Sequence, residues 1–336
     1  MFFFWGVAAI WFLTMIPNIE LPNFVKSPEF IAKDKDFTFI GAVCMIWWCF
    51  AGFEACVAMG EENRFPKINI PRAMFLAPFV VFCVNALFQW YLIGITPVEK
   101  LASLATAEAP YAEAMKAAGI LGFPLALLAA GIAFGGDFST LNASISTTPR
   151  YLFTMARDGA MPKIFAKVSR RYQTPYVAVI TLGVLTVALI ATNSLLYIAE
   201  LSLFADLFYY VLGILAALGL RKNHPELKRS YKAPLIMIGA PISALIYLYM
   251  MTELSNEAFY TGVIWCLLGI AIYWCCSKYY GSGTSFKLDE KESGVDETPS
   301  PEEKRAMDRE YHVWWFIVGA LSIIATLLYL VPYLAR

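Results

Sequence analysis

The chain has 336 residues, of which 59% are hydrophobic and only 15% charged, and its mean hydropathy of +0.59 excludes an ordinary soluble domain. Basic and acidic residues balance at 26 each, so no electrostatic footprint for a nucleic-acid partner is present. The cysteines (Cys44, Cys49, Cys56, Cys83, Cys266, Cys275 and Cys276) all sit in apolar segments without histidines at ligand spacing, so no redox or metal role and no cofactor is expected.

Charge-free runs cover 73–98, 172–199, 233–252, 258–277 and 311–335. Each reaches the ~20 residues that cross ~30 Å of hydrocarbon, which predicts an all-α, polytopic helical membrane protein of about nine segments. In chain order, 1–16 is apolar but short and lacks a basic leader, so it reads as the end of a membrane helix rather than a signal peptide. A polar loop, 17–36, follows. Spans are expected at 38–60, 73–96, 121–148, 176–193, 196–220, 234–252 and 258–277. The 49 residues from 172 to 220 exceed one crossing, and Ala191-Thr192-Asn193-Ser194 supplies the turn between two. Residues 281–310 are polar and acidic with interspersed Gly, Ser and Pro, and are expected to form a flexible cytoplasmic loop before a last membrane helix at 311–336.

Loop charge sets the orientation. Twenty of the 26 Lys and Arg lie in the alternate loops 61–72, 150–174, 221–232 and 278–310. These loops are therefore expected to be cytoplasmic, with the N-terminus inside and the C-terminus outside a plasma membrane.

The segment from Phe37 to Arg72 carries the most pointed chemistry. No charge occurs from Phe37 to Phe53, and then Glu54 appears directly after Ala51, Gly52 and Phe53. A carboxylate at membrane depth is costly and marks a functional candidate. A glycine beside it is a place where a membrane helix can unwind and offer main-chain groups to a solute. A packing glycine and a glutamate bonded to a neighbouring helix compete with that reading. Asp137, Thr140, Ser144 and Thr148 share one helical face. That face suits a water path or a cation site of oxygen ligands, or interhelical hydrogen bonding. Asp206, one turn after Ser202, is a deeper acid than Glu200, which is expected near the outer interface. Asn85 and Gln89 share a face as well, with a hydrogen bond to a neighbouring helix the simpler role. His224 and His312 lie in or next to polar segments and read as solvated. No nucleophile–base or phosphate-loop constellation is visible, so an enzyme is not expected.

Four stretches resemble amino acid permeases of the amino acid–polyamine–organocation superfamily over about residues 1–280. They are Trp48-Cys49-Phe50-Ala51-Gly52-Phe53-Glu54 with Glu61-Glu62-Asn63-Arg64-Phe65-Pro66, Ala109-Pro110-Tyr111-Ala112, Pro149-Arg150-Tyr151 with Ala156-Arg157-Asp158-Gly159, and the run from Leu220 to Pro234. The resemblance implies a five-plus-five inverted repeat that works by alternating access, here truncated to its helices five to twelve plus one extra. It implies that Phe50, Ala51, Gly52 and Phe53 contact the substrate, that Trp48 is an occluding lid, and that Glu54 gates or carries a proton. It places Thr140, Ser144 and Ser202 at the pocket, and leaves Asp137 and Asp206 as candidates for proton or sodium coupling.

On this reading the chain moves an amino acid or related amine, driven by an ion gradient or by exchange. Because nothing corresponds to the family's first four helices, it is expected not to transport by itself but with a separately encoded N-terminal half. An ethanolamine or polyamine permease, or a non-transporting sensor or remnant, are the alternatives.

Overall fold

The computed structural model describes residues 10–24, 39–60, 63–104, 107, 109–226, 231, 233, 235–280 and 298–334. The first nine residues of the expected 1–16 span, and 281–297 of the expected polar loop, lie outside them. After a short helical start at 10–15, the main helices are α1 (Phe39–Trp48), α2 (Ala55–Ala58), α3 (Pro66–Ile95), α4 (Pro110–Ala117), α5 (Phe123–Ala130), α6 (Phe138–Arg157), α7 (Tyr176–Ile190), α8 (Leu195–Asn223), α9 (Ile236–Met251), α10 (Asn256–Tyr280) and α11 (Pro301–Leu334). A π-helical stretch, Gly131–Asp137, joins α5 to α6. Among the described residues, five helices are long and apolar enough to cross a membrane: Pro66–Ile95, Phe123–Arg157, Leu195–Asn223, Asn256–Tyr280 and Pro301–Leu330. The shorter helices α1, α7 and α9 are also apolar. The protein is a polytopic helical membrane protein, and its many exposed Leu, Ile, Val and Phe side chains are the surface that lipid requires.

Local chemistry sets several boundaries. Asn193 adopts a left-handed φ of 53°, and the Ser194 hydroxyl caps α8 by accepting the Tyr197 N–H at 3.4 Å. This is the turn that Ala191-Thr192-Asn193-Ser194 predicts. The last helix begins ten residues before the expected membrane segment at 311. There Ser300 and Glu303 cap each other reciprocally, Ser300 N–H to Glu303 Oε2 at 2.9 Å and Glu303 N–H to Ser300 Oγ at 3.2 Å. Pro301 occupies the first helical position, where its missing N–H costs nothing. The end of the polar segment is therefore helix rather than loop.

The chain divides into two compact units. The first comprises Met1–Phe37, Phe75–Ser144 and Ser300–Arg336. Its core gathers Trp11, Met15, Phe24, Trp90, Tyr91, Ile95, Met115 and Leu128. Trp11 stacks on Phe88 at 4.9 Å, and the Tyr91 hydroxyl donates to the Phe12 carbonyl at 3.1 Å. Helix α11 fastens along α3 by polar as well as apolar contacts. Trp90 Nε1 donates to Leu328 O at 3.0 Å, Tyr329 Oη to Ala86 O at 2.8 Å, and Cys83 Sγ lies 3.2 Å from Ser322 Oγ. Trp315 packs on Phe75 and Phe79. Between helices in lipid there is no hydrophobic gain, so such bonds and close packing hold α11 in place.

The second unit comprises Thr38–Met74 and Ile145–Pro299. Cys44 of α1, Leu203, Phe204 and Leu207 of α8, and Met250 and Met251 of α9 form its core with Leu254. Helices α8 and α10 are in close contact at Gly262, where an added Cβ would lie 2.2 Å from Phe204 Cδ1. Gly262→Ala is therefore expected to lower stability by about 1–3 kcal/mol through overpacking. Thermal unfolding of the purified chain in detergent measures it. The same substitution in a Phe204→Leu background should cost clearly less, and equal costs in both would show that this contact is not what sets the helix spacing.

Candidate functional site

The second unit contains the interruption that the sequence marks. Helix α1 ends at Trp48, residues 49–54 form turns, and the single-turn helix α2 follows. Regular i→i−4 bonding gives way to three-residue turns: Cys49 N–H to Ile46 O, Phe50 N–H to Trp47 O, and Ala51 N–H to Trp48 O at 3.0, 2.8 and 3.2 Å. The pivot is Gly52 with φ +97°, a backbone state that a side chain would oppose. Ala55 N–H then turns to Gly52 O at 3.2 Å, so the Ala51 carbonyl drops out of the helical ladder. Such freed main-chain groups need a polar partner at membrane depth, and a solute can be that partner.

Glu54 does not point into an unrelated contact. Its Oε2 accepts the Gly52 N–H at 3.1 Å and the Tyr210 hydroxyl at 2.8 Å. The carboxylate thus folds back on the break and ties it to α8. Phe53 stacks on the Tyr210 ring at 6.0 Å. Trp47 lies 6.3 Å from Phe50, 6.4 Å from Tyr210 and 5.2 Å from Tyr247, which completes an aromatic surround. The Trp47 Nε1–H is buried and has no hydrogen-bond partner among the described residues. A buried donor in that condition is a place for a water or a ligand acceptor. Trp48, 42% exposed, directs its Nε1–H to Ser202 Oγ at 3.4 Å.

Of the residues singled out from the sequence, Trp48, Phe50, Ala51, Gly52, Phe53, Glu54 and Ser202 therefore gather at one place, with half-buried Asp206 on the same α8 face. Ser202, Asp206 and Tyr210 are spaced at i, i+4 and i+8. Asp137, Thr140 and Ser144 belong to the other unit. There Asp137 ends the π-helical stretch, a feature that recurs at functional positions in helices, and Thr140 and Ser144 are exposed along α6. Sequence reasoning missed Tyr210, Trp47 and Tyr247. Tyr210 was within reach, since extending the Ser202–Asp206 stripe by one turn arrives at it.

Residues 1–274 match the family model described as amino acid permease. The chain is 26% identical over 237 residues to the branched-chain amino acid permease BcaP of Bacillus subtilis, covering 70% of this chain and 50% of that protein. It is 28% identical over 236 residues to a methylthioribose transporter of the same organism, covering 69% and 49%. With the human large neutral amino acids transporter small subunit 2 it shares 26% identity over 226 residues, 67% of this chain and 40% of that one. The chain spans about half the length of the curated relatives it matches.

Proposed function

The chain belongs to the amino acid permease family, and on that premise we propose that it serves the movement of neutral amino acids across the plasma membrane, with the break at Gly52 as part of the solute site. The observation that carries this is Glu54, bonded at once to the Gly52 amide and the Tyr210 hydroxyl. A carboxylate so placed holds the interruption in one shape. The C-terminal carbonyls of α1, the negative end of its dipole, then face the space where a substrate ammonium would sit. Phe50, Ala51 and Phe53 line the path of the side chain, and Trp48, hinged on Ser202, acts as the lid. Glu54 and Asp206, with Asp137 just before α6, are the candidates for coupling to a proton or sodium ion. The names of the relatives, branched-chain and large neutral amino acid carriers, favour an apolar amino acid as cargo. The Lys and Arg content of 61–72, 150–174 and 221–232 supports a cytoplasmic position for these loops. A separately encoded N-terminal half is the partner this reading calls for.

Saturable binding of labelled leucine to the purified full chain tests the reading, with and without coexpressed N-terminal permease halves. Unlabelled isoleucine is expected to displace the label, and ethanolamine, putrescine and methylthioribose are not. At a hundredfold excess over Kd, leucine should also stabilise the chain by about 2.7 kcal/mol. Displacement by the amines alone would move the assignment to an amine carrier. No saturable binding of any of them in either preparation would overturn a solute site at the break.

A further inference from the structure

The connection between α6 and α7 carries charge of one sign. No carboxylate occurs between Asp158 and Glu200, and Lys163, Lys167, Arg170 and Arg171 all fall in that interval. All four are exposed. Asp158 itself is taken by Arg157, whose Nε lies 3.4 Å from its Oδ1. None of the four cations has an ion-pair partner among the described residues. Three of them are each followed by an apolar side chain at four-residue spacing: Lys163-Ile164, Lys167-Val168 and Arg171-Tyr172. Ile164, Val168 and Tyr172 are exposed, Tyr172 by 67%.

Local bonds hold this stretch in one shape. Lys163–Ala166 form a short helical turn that packs against α7. A second turn is closed by Ser169 N–H to Thr174 O at 2.8 Å, Gln173 N–H to Ser169 O at 2.9 Å and Gln173 Nε2 to Arg170 O at 2.9 Å. The cations are thus presented on an ordered backbone, which reduces the entropy lost when a ligand binds.

Two helices set the depth. The uncharged run that contains α7 begins directly after Arg171, and the uncharged run of α10 ends directly before Lys278. Lys163 Nζ lies 4.9 Å from the centre of the Tyr280 ring, so the two run ends meet at one membrane boundary. Arg171 lies over Tyr172 and Lys278 over Trp274, at 5.1 and 5.3 Å. Aromatic rings of this kind belong to the headgroup level. Lys278 is likewise exposed and has no carboxylate partner among the described residues.

We propose that the turns at 163–172, with Lys278 beside them, form a docking surface for the phosphates of anionic phospholipids. Cations interleaved with exposed apolar side chains match neither water nor hydrocarbon, whereas a headgroup layer offers phosphates to the first and acyl chain to the second. The adjacent guanidinium groups of Arg170 and Arg171 suit phosphate oxygens by bidentate bonding. A soluble acidic partner would have to displace headgroups to reach the same depth. The inference uses only α7 and α10 as membrane helices and does not rest on the transport reading.

Native mass spectrometry of the purified full chain, exposed to equal amounts of phosphatidylglycerol and phosphatidylcholine, tests it. The parent chain should retain phosphatidylglycerol preferentially. R170Q/R171Q should weaken that retention about 30-fold, which is ~1 kcal/mol for each basic group at ~1.4 kcal/mol per tenfold. K163Q/K167Q, in the neighbouring turn, should lower it by a similar factor, and R170K/R171K should keep most of it. R221Q/K222Q removes the same charge from the end of α8 and should leave retention within about threefold. Circular dichroism should be the same for all these chains. Unchanged retention in both R170Q/R171Q and K163Q/K167Q would overturn the surface. An equal loss in R221Q/K222Q would overturn it in favour of attraction to net charge alone. Displacement of the lipid by inorganic phosphate at equal concentration would overturn it in favour of a free anion. Leucine binding should be unaffected throughout, so this proposal and the transport reading fail separately.

Discussion

Gly52→Val is expected to cost about 1–3 kcal/mol and to weaken leucine binding by roughly 5- to 150-fold. Gly52 sits at φ +97°, and an added Cβ would meet nothing within 4 Å. The penalty is therefore conformational rather than steric. Valine pulls the residue back toward negative φ, which turns the Gly52 N–H away from Glu54 and re-forms the helix across the break. Gly213→Ala is the matched control. It lies inside α8, also with open space around its Cβ, but without a positive φ. In a helix interior that exchange should be neutral or stabilise by up to about 1 kcal/mol. Thermal unfolding and leucine titration of both variants separate the two cases. Equal effects at the two positions would mean that the backbone state at Gly52 is not what the site depends on.

Tyr210→Phe removes one oxygen and leaves the ring, so the stacking on Phe53 and the contacts with Trp47 and Tyr247 survive. What is lost is the 2.8 Å bond to Glu54 Oε2. A hydrogen bond to a charged acceptor contributes about 1.5–3 kcal/mol, so leucine affinity should fall by roughly ten- to a hundredfold. Glu54→Gln keeps an oxygen that can accept from both Tyr210 and Gly52, so its stability should change less than that of Tyr210→Phe. The two residues act on one element, and the double variant should depart from additivity by about 1–2 kcal/mol. Strict additivity would show that Tyr210 stabilises α8 packing without reaching the break.

These two experiments also mark how far the sequence reaches. The glycine before Glu54, the turn at Ala191-Thr192-Asn193-Ser194 and the polar face of Ser202 and Asp206 are short-range signals, readable within a few residues. The capping pair Ser300 and Glu303 was equally local, and the Ser-Pro-Glu-Glu spacing carried it even though the acidic composition of 281–310 suggested only a loop. Tyr210 is different. It lies 156 residues from Glu54, and although the Ser202–Asp206 stripe extended by one turn arrives at it, no local pattern says that this face of α8 turns toward α1. The same holds for the Trp48–Ser202 contact and for the seam of Trp90, Tyr329 and Cys83 that fixes α11 on α3.

By itself, then, the sequence determined that this is a polytopic helical membrane protein with a weak point at Ala51-Gly52. The length of an apolar run and the presence of a glycine are enough to decide whether a segment can cross lipid and where it can bend. Only the tertiary structure decided what the weak point is tied to, because lipid faces and helix faces are equally apolar. With no hydrophobic difference to orient them, the helices are turned relative to one another by a few polar bonds and close contacts, and those depend on the packed arrangement of the whole unit.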